Sequence, residues 1–117
     1  MISHYIEEAL ELKKVILADS GFHASVERAI AMLADCFTKG NKVLIAGNGG
    51  SAADAQHFAA EIVSGYKNFS RKGYPAIALT TDTSIMTAWS NDNHFDTLFA
   101  RKLQALGNKG DVFLAIS

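Results

Sequence analysis

The sequence predicts an α/β fold: a parallel sheet with helices on its faces, in three layers, preceded by an N-terminal helical hairpin. Three observations carry this. Lys42–Ala46, Pro75–Leu79 and Val112–Ile116 are short, nearly unbroken apolar runs, the pattern of strands buried on both faces of a parallel sheet. The segments between them have helical periodicity and the length of crossover connections. The first 40 residues show helical periodicity alone.

Residues 3–18 form the first predicted helix. Tyr5, Ile6, Ala9, Leu10, Leu12, Ile16 and Leu17 make a wide apolar stripe, with Glu7, Glu11 and Lys14 opposite. Ser20-Gly21 punctuates, and a second helix runs through Val26, Ile30, Leu33 and Phe37 to about Lys39, where Gly40-Asn41 stops it. A hairpin over 1–40 has no strand of its own to cover, so its apolar surplus packs on its own sheet or on a neighbouring subunit. After the first strand, Lys42–Ala46, a helix runs from Ser51 or Ala52 to about Ser64. Tyr66–Lys72 is a polar loop, and Pro75 opens the second strand where no ladder donor is lost. Thr83–Ser90 is a short helix capped by Thr81-Asp82-Thr83, Asn91-Asp92-Asn93 breaks it, and Phe95–Leu106 is helical to Gly107. Met86, Trp89, Phe95 and Phe99 fall at helical spacings and read as core. The order α-α-β-α-β-α-α-β implies parallel pairing with right-handed crossovers. Residues 41–117 then belong with the hairpin to a single domain. The third strand ends at Ser117 with no crossover helix after it, so the C-terminal part of such a domain is expected to be absent.

Composition excludes several classes. With 117 residues, 49% apolar and 20% charged, the chain is an ordinary globular domain and not two. Eleven Lys and Arg against 12 Asp and Glu leave no basic excess for a nucleic-acid surface. The longest apolar run, about five residues, is far short of the roughly 20 that span a bilayer, and the acidic, amphipathic N-terminus is not a secretory signal. The single cysteine, Cys36, has no internal disulfide partner and reads as a small buried hydrophobe. The expectation is a cytoplasmic protein with no nucleic-acid or membrane partner.

The chemistry concentrates at Gly47-Asn48-Gly49-Gly50-Ser51, between the first strand and its helix. A glycine turn there exposes free N–H groups at a helix N-terminus, where the macrodipole favours negative charge. It serves equally as a plain strand-to-helix connection with Ser51 as cap. Gly47-x-Gly49-x-x-Ala52 matches the dinucleotide fingerprint, but the acidic residue about 20 positions on is missing, and no Lys-Ser/Thr follows the glycines as in a Walker loop. His57 and Glu61, four apart, share a helix face with Asp54 and Ser64. That face is either a solvated polar stripe or one wall of a crowded cleft, since Ala52, Ala53, Ala55, Ala59 and Ala60 keep the helix thin. A His/Glu pair at this spacing also suits two ligands of a divalent metal, although the pair lacks a third. Asn91-Asp92 points toward the same sheet edge or simply caps a helix. Lys67, Arg71 and Lys72 form a basic cluster, solvated or near an anionic substrate.

Ala46–Glu61, with Gly73–Ala78, Asn91-Asp92 and Gly110–Ser117, resembles the sugar isomerase (SIS) domain family and, within it, the phosphoheptose isomerases. The likeness runs over essentially the whole chain. It implies a flavodoxin-like three-layer sandwich, with 1–40 as an oligomerisation hairpin and 41–117 as the N-terminal portion of the SIS domain. Members of the family continue into a serine-rich phosphate loop, further strands and a helix bearing a second catalytic histidine. The resemblance implies conversion of sedoheptulose 7-phosphate to D-glycero-D-manno-heptose 7-phosphate through an enediol, a step toward the heptose of bacterial lipopolysaccharide. Glu61 matches the catalytic carboxylate. Asn48, Gly49, Gly50, Ser51, Glu61, Asn91, Asp92 and Ser117 match substrate contacts. His57 and Glu61 match positions that ligate zinc in some members, one ion per site, with the other ligands beyond Ser117. It also implies a homotetramer with active sites at subunit interfaces.

Two other readings stand beside the enzyme. A non-catalytic SIS module would bind a sugar phosphate or the replication initiator, but the initiator-associated relatives lack a glutamate where this chain has Glu61. A nucleotide-binding α/β domain is disfavoured by the missing ribose acid and Walker lysine.

Overall fold

Asp19 separates the first two helices. The computed structural model describes residues 1–117, and in it α1 (Ile2–Ala18) gives way at Asp19, in extended backbone, to α2 (Ser20–Thr38). The Asp19 carboxylate accepts the Phe22 N–H at 2.9 Å and its carbonyl accepts the His23 N–H at 3.1 Å, satisfying donors that open a helix. The punctuation therefore falls one residue before the expected Ser20-Gly21, because a carboxylate cap starts the helix and the glycine is carried inside it. The chain divides into two compact units, Met1–Met32 and Leu33–Ser117. Within the first, α1 buries no residue, and Ile2, Tyr5, Ile6 and Leu10 are all more than half exposed.

The second unit holds the sheet. β1 (Val43–Ala46), β2 (Ala76–Ala78) and β3 (Val112–Ala115) lie in the order β2-β1-β3. All pairings are parallel, with Leu44 opposite Ile77 on one side and Phe113 on the other. The period of two divides β1 between two cores. Val43 and Ile45 pack with Ala55 and Ala59 of α3 (Gly50–Val63) and with Leu33 and Phe37 of α2. Leu44 and Ala46 pack with Leu79 and with Phe99 and Leu103 of α5 (Leu98–Leu106). Helices thus cover both faces, giving the three layers expected. Only β1 is buried throughout. β2 and β3 are half-covered edges, with Ile77 37% and Phe113 45% exposed, so the expectation of three doubly buried strands holds for one.

Between β2 and β3 come α4 (Thr83–Asp92), a 3₁₀ turn (Phe95–Thr97) and α5. Asp82 caps α4 by accepting the Ile85 N–H at 3.2 Å. The helix then runs through Asn91 and Asp92 and ends at Asn93, whose N–H still bonds Trp89 O at 2.8 Å. The expected break is thus narrower by two residues. Phe95 is 48% exposed rather than core, because it sits in the 3₁₀ turn, which Trp89 Nε1 pins by donating to Thr97 Oγ1 at 3.0 Å.

At the amino end of the sheet, Asp111 closes β1 against β3. It accepts from Lys42 Nζ at 2.6 Å, the Lys42 N–H at 3.0 Å and the Asn108 N–H at 2.7 Å. Burial pushes its pKa up, but these hydrogen bonds and the Lys42 charge outweigh burial and hold the carboxyl well below its ordinary range. Cys36 is buried, as expected, and burial pushes its thiol pKa up. No helix is long and apolar enough to cross a membrane.

Candidate active site

The carboxyl end of β1 is where the chain turns sharply enough to require glycine. At Gly47 a Cβ would lie 2.6 Å from Ser51 O, so the first turn of α3 folds back over this residue. Gly49 sits at φ +56° and caps α3 without a side-chain bond, a conformation that costs most residues strain. The cap is therefore Gly49 and not Ser51, which lies in the first turn and gives its N–H to Asn48 O at 2.9 Å. Ala52 and Ala53 donate to Gly49 O. The N–H groups of Asn48, Gly49 and Gly50 carry no hydrogen bond within the chain, so three consecutive donors at a helix N-terminus are open to an oxygen ligand.

Further along α3, His57 Nε2 lies 3.1 Å from Glu61 Oε1. The His57 side chain is 76% exposed and that of Glu61 36%. Glu61 Oε2 is buried and has no hydrogen-bond partner. An orphaned, buried carboxylate oxygen is costly to leave unmatched and marks a place where a proton, a cation or a ligand hydroxyl completes the site. A groove of about 340 Å³ is lined by Asp54, His57, Phe58, Glu61, Ile62 and Ile116. It is open rather than the crowded cleft expected. Ile116, just past β3, places the end of that strand beside α3, and exposed Ser117 follows it. The carboxyl edge of a parallel sheet is where open α/β folds bind ligands.

Asn91 and Asp92 lie elsewhere. They end α4, with Asn91 Nδ2 donating to Asp92 Oδ1 at 3.0 Å, and Asp92 lines a separate groove between α4 and α5 with Trp89 and Lys102. Two further residues, with no distinctive motif around them, lie at this sheet edge. Lys102, 5% exposed, donates from Nζ to Leu79 O at 2.9 Å, and Thr80 donates to Ala52 O at 3.3 Å. The Leu98-Lys102-Leu106 row at four-residue spacing was the available signal that Lys102 faces inward. Arg71 is not a solvated base either: it donates to Glu61 O at 2.9 Å.

A metal fits this donor set in part. His57 and Glu61 suit two positions of a zinc site, and no group of three or more His, Cys, Asp or Glu side chains converges, so its remaining donors would come from outside these residues.

Residues 4–117 match the family model described as SIS domain. The chain belongs to the SIS domain family. Among relatives of this SIS domain, a phosphoheptose isomerase of Aneurinibacillus thermoaerophilus is 48% identical over 99% of this chain and 58% of its own length. One of Burkholderia pseudomallei is 51% identical with the same coverage. The chain therefore spans somewhat over half the length of these relatives. A phosphoheptose isomerase structure from Francisella tularensis superposes with a TM-score of 0.90 at 34% identity, covering 99% of this chain and 59% of that one. One from Neisseria gonorrhoeae gives 0.83 at 39% identity with the same coverage.

Proposed function

We propose that the protein carrying this SIS domain is an aldose–ketose isomerase that converts sedoheptulose 7-phosphate to D-glycero-D-manno-heptose 7-phosphate in the cytoplasm. The observation that carries this reading is Glu61, which keeps a buried Oε2 without a partner and helps line a groove that reaches Ile116 just past β3, on the helix that opens with three free amides. Phosphoheptose isomerases of about 50% identity across nearly the whole chain support the same class.

Isomerisation through an enediol breaks a C–H bond beside the carbonyl. Its electrons become the C=C bond as the carbonyl oxygen gains a proton. The base then returns its proton to the former carbonyl carbon while the hydroxyl on the first carbon gives up its own proton and becomes the new carbonyl. Glu61 Oε2 is free to take and return that proton, while His57 on Oε1 fixes the carboxylate rotamer. The amides of Asn48, Gly49 and Gly50 hold a substrate oxygen by charge-assisted hydrogen bonds. Ser51 and Ser117 are proposed as further substrate contacts, as are Asn91 and Asp92, which stand apart from Glu61 in the same chain and would be supplied by another subunit. Zinc held by His57 and Glu61 would supply Lewis-acid polarisation of a substrate oxygen. The active unit is proposed to be a homotetramer with sites at subunit interfaces.

The test is loss of ketose from sedoheptulose 7-phosphate with the full-length protein. Glu61→Gln removes the base with little change of shape and lowers kcat at least about 100-fold with KM nearly unchanged. Turnover within about twofold of wild type would overturn the role of Glu61. A wild-type protein that binds the sugar phosphate without turnover would be a non-catalytic SIS module.

A further inference from the structure

The chain after α3 doubles back along the end of that helix, where the last carbonyls need partners from outside. Ala60 O accepts the Ser64 N–H at 2.9 Å and the Ser64 hydroxyl at 2.6 Å. Ile62 O accepts the Tyr74 N–H at 3.2 Å. Gly73 passes so close to Val63 O that a Cβ there would overlap it. Glu61 O accepts Arg71 Nη2 at 2.9 Å. Of these, the Arg71 bond alone comes from a charged side chain, and a cation at a helix C-terminus is favoured by the macrodipole.

Arg71 is itself held. Nη1 donates to Lys72 O at 3.0 Å, and the guanidinium lies 4.7 Å from the centroid of the Tyr74 ring. Tyr74 stacks on Phe37 at 5.0 Å and 11°, and Phe37 belongs to the core on the α3 face of the sheet. A continuous path thus runs from the core through two stacked rings and a guanidinium to the backbone of Glu61. The Glu61 carboxylate has one protein partner, His57, and that side chain is mostly exposed. Its placement therefore depends on the backbone beneath it.

We propose that Arg71 is a positioning residue for Glu61, its guanidinium clamped over Tyr74 to fix the last turn of α3 and hence where the Glu61 carboxylate stands in the groove. The inference rests on the reading of Glu61 as acid/base. Misplacing a reacting group by about 1 Å costs up to roughly 100-fold in rate. Both nitrogens at the tip of Arg71 are engaged by protein carbonyls, so its part is support and not substrate contact.

The test uses the full-length protein and its Arg71→Ala, Arg71→Lys and Lys72→Ala variants, with sedoheptulose 7-phosphate as substrate. Arg71→Ala is expected to lower kcat about 10- to 100-fold with KM nearly unchanged. Millimolar guanidinium should restore part of that loss, Arg71→Lys should fall between, and Lys72→Ala should match wild type. Three outcomes overturn the proposal: kcat unchanged in Arg71→Ala, a rise in KM at constant kcat, or a kcat loss that guanidinium does not relieve. Amide hydrogen exchange separates this from failure of the catalytic reading. If wild type turns over no sugar phosphate, Arg71→Ala should still speed exchange at the Ser64 and Tyr74 amides by about tenfold relative to the start of α3. Unchanged exchange then sinks the clamp.

Discussion

Two carboxylates in this chain differ sharply in how fully hydrogen bonds satisfy them. Asp111 has its side chain 7% exposed and receives Lys42 Nζ and two backbone N–H groups at 3.0 Å or less. Glu61 receives one histidine contact and keeps a buried oxygen with no partner. The first is committed to the fold, and the second keeps an oxygen for the proton transfer proposed above. Asp111→Asn turns an acceptor of four donors into a group that itself donates, and leaves Lys42 without its counter-charge. It is expected to destabilise the protein by about 2–4 kcal/mol at pH 7, read from urea denaturation. The sign with pH follows from the lowered pKa. A depressed carboxylate contributes stability that is whole above its ordinary value of 3.8 and is lost as pH falls below it toward the folded-state value. The gap between wild type and Asp111→Asn should therefore be constant from neutral pH down to about pH 5 and shrink below about pH 4. A gap that stays the same through the acid range would show that Asp111 is not ionised in the fold.

The β1–turn–α3 element carries its own prediction, because Gly47 and Gly49 are glycines for different reasons. A Cβ at Gly47 meets Ser51 O, C and Cβ at 2.6 to 2.8 Å, whereas at Gly49 it meets nothing and only the φ of +56° objects. Gly47→Ala must push α3 off the strand end, at about 1–3 kcal/mol, and disturbs the row of free amides. Gly49→Ala costs about 1–2 kcal/mol of backbone strain with the turn otherwise intact. Thermal unfolding with sugar-phosphate binding distinguishes them: Gly47→Ala should lose more affinity for the same stability lost, and the reverse ranking would place the ligand elsewhere. This element was legible in the sequence because an apolar run, a glycine turn and an alanine-rich helix each dictate local geometry. So were the strands and the i, i+4 pairing of His57 with Glu61. What escaped was tertiary. The end of α4 shifted because Asn91 and Asp92 are as compatible with a last helical turn as with a break. The inward Lys102 and the clamp by Arg71 depend on carbonyls of Leu79 and Glu61, 23 and 10 residues away, and no local pattern reports such a partner. The edge character of β2 and β3 depends on strand order, which apolar runs do not encode.

For the whole molecule, the question is what meets the apolar side of residues 1–32. Ile2, Tyr5, Ile6, Ala9 and Leu10 line an open apolar groove of about 470 Å³ with Lys13 at its edge, and Ile2 is 77%, Tyr5 63% and Leu10 55% exposed. Contiguous apolar surface of this kind marks an interaction site more often than free solvent surface. A second copy is the partner that the proposed homotetramer supplies, since a closed symmetric assembly buries the same patch on each subunit. Light scattering on the full-length protein at micromolar concentration should then give about four times the subunit mass. Ile6→Glu with Leu10→Glu places charge in the groove and should shift that mass to smaller species. A monomeric wild type would remove the tetramer, and an unshifted double variant would move the interface off this helix. Activity resolves the last step. If sites are completed across subunits, the dissociated variant loses kcat although α3 and Glu61 are untouched. If it turns over at the wild-type rate, each subunit carries a complete site and the hairpin serves assembly alone.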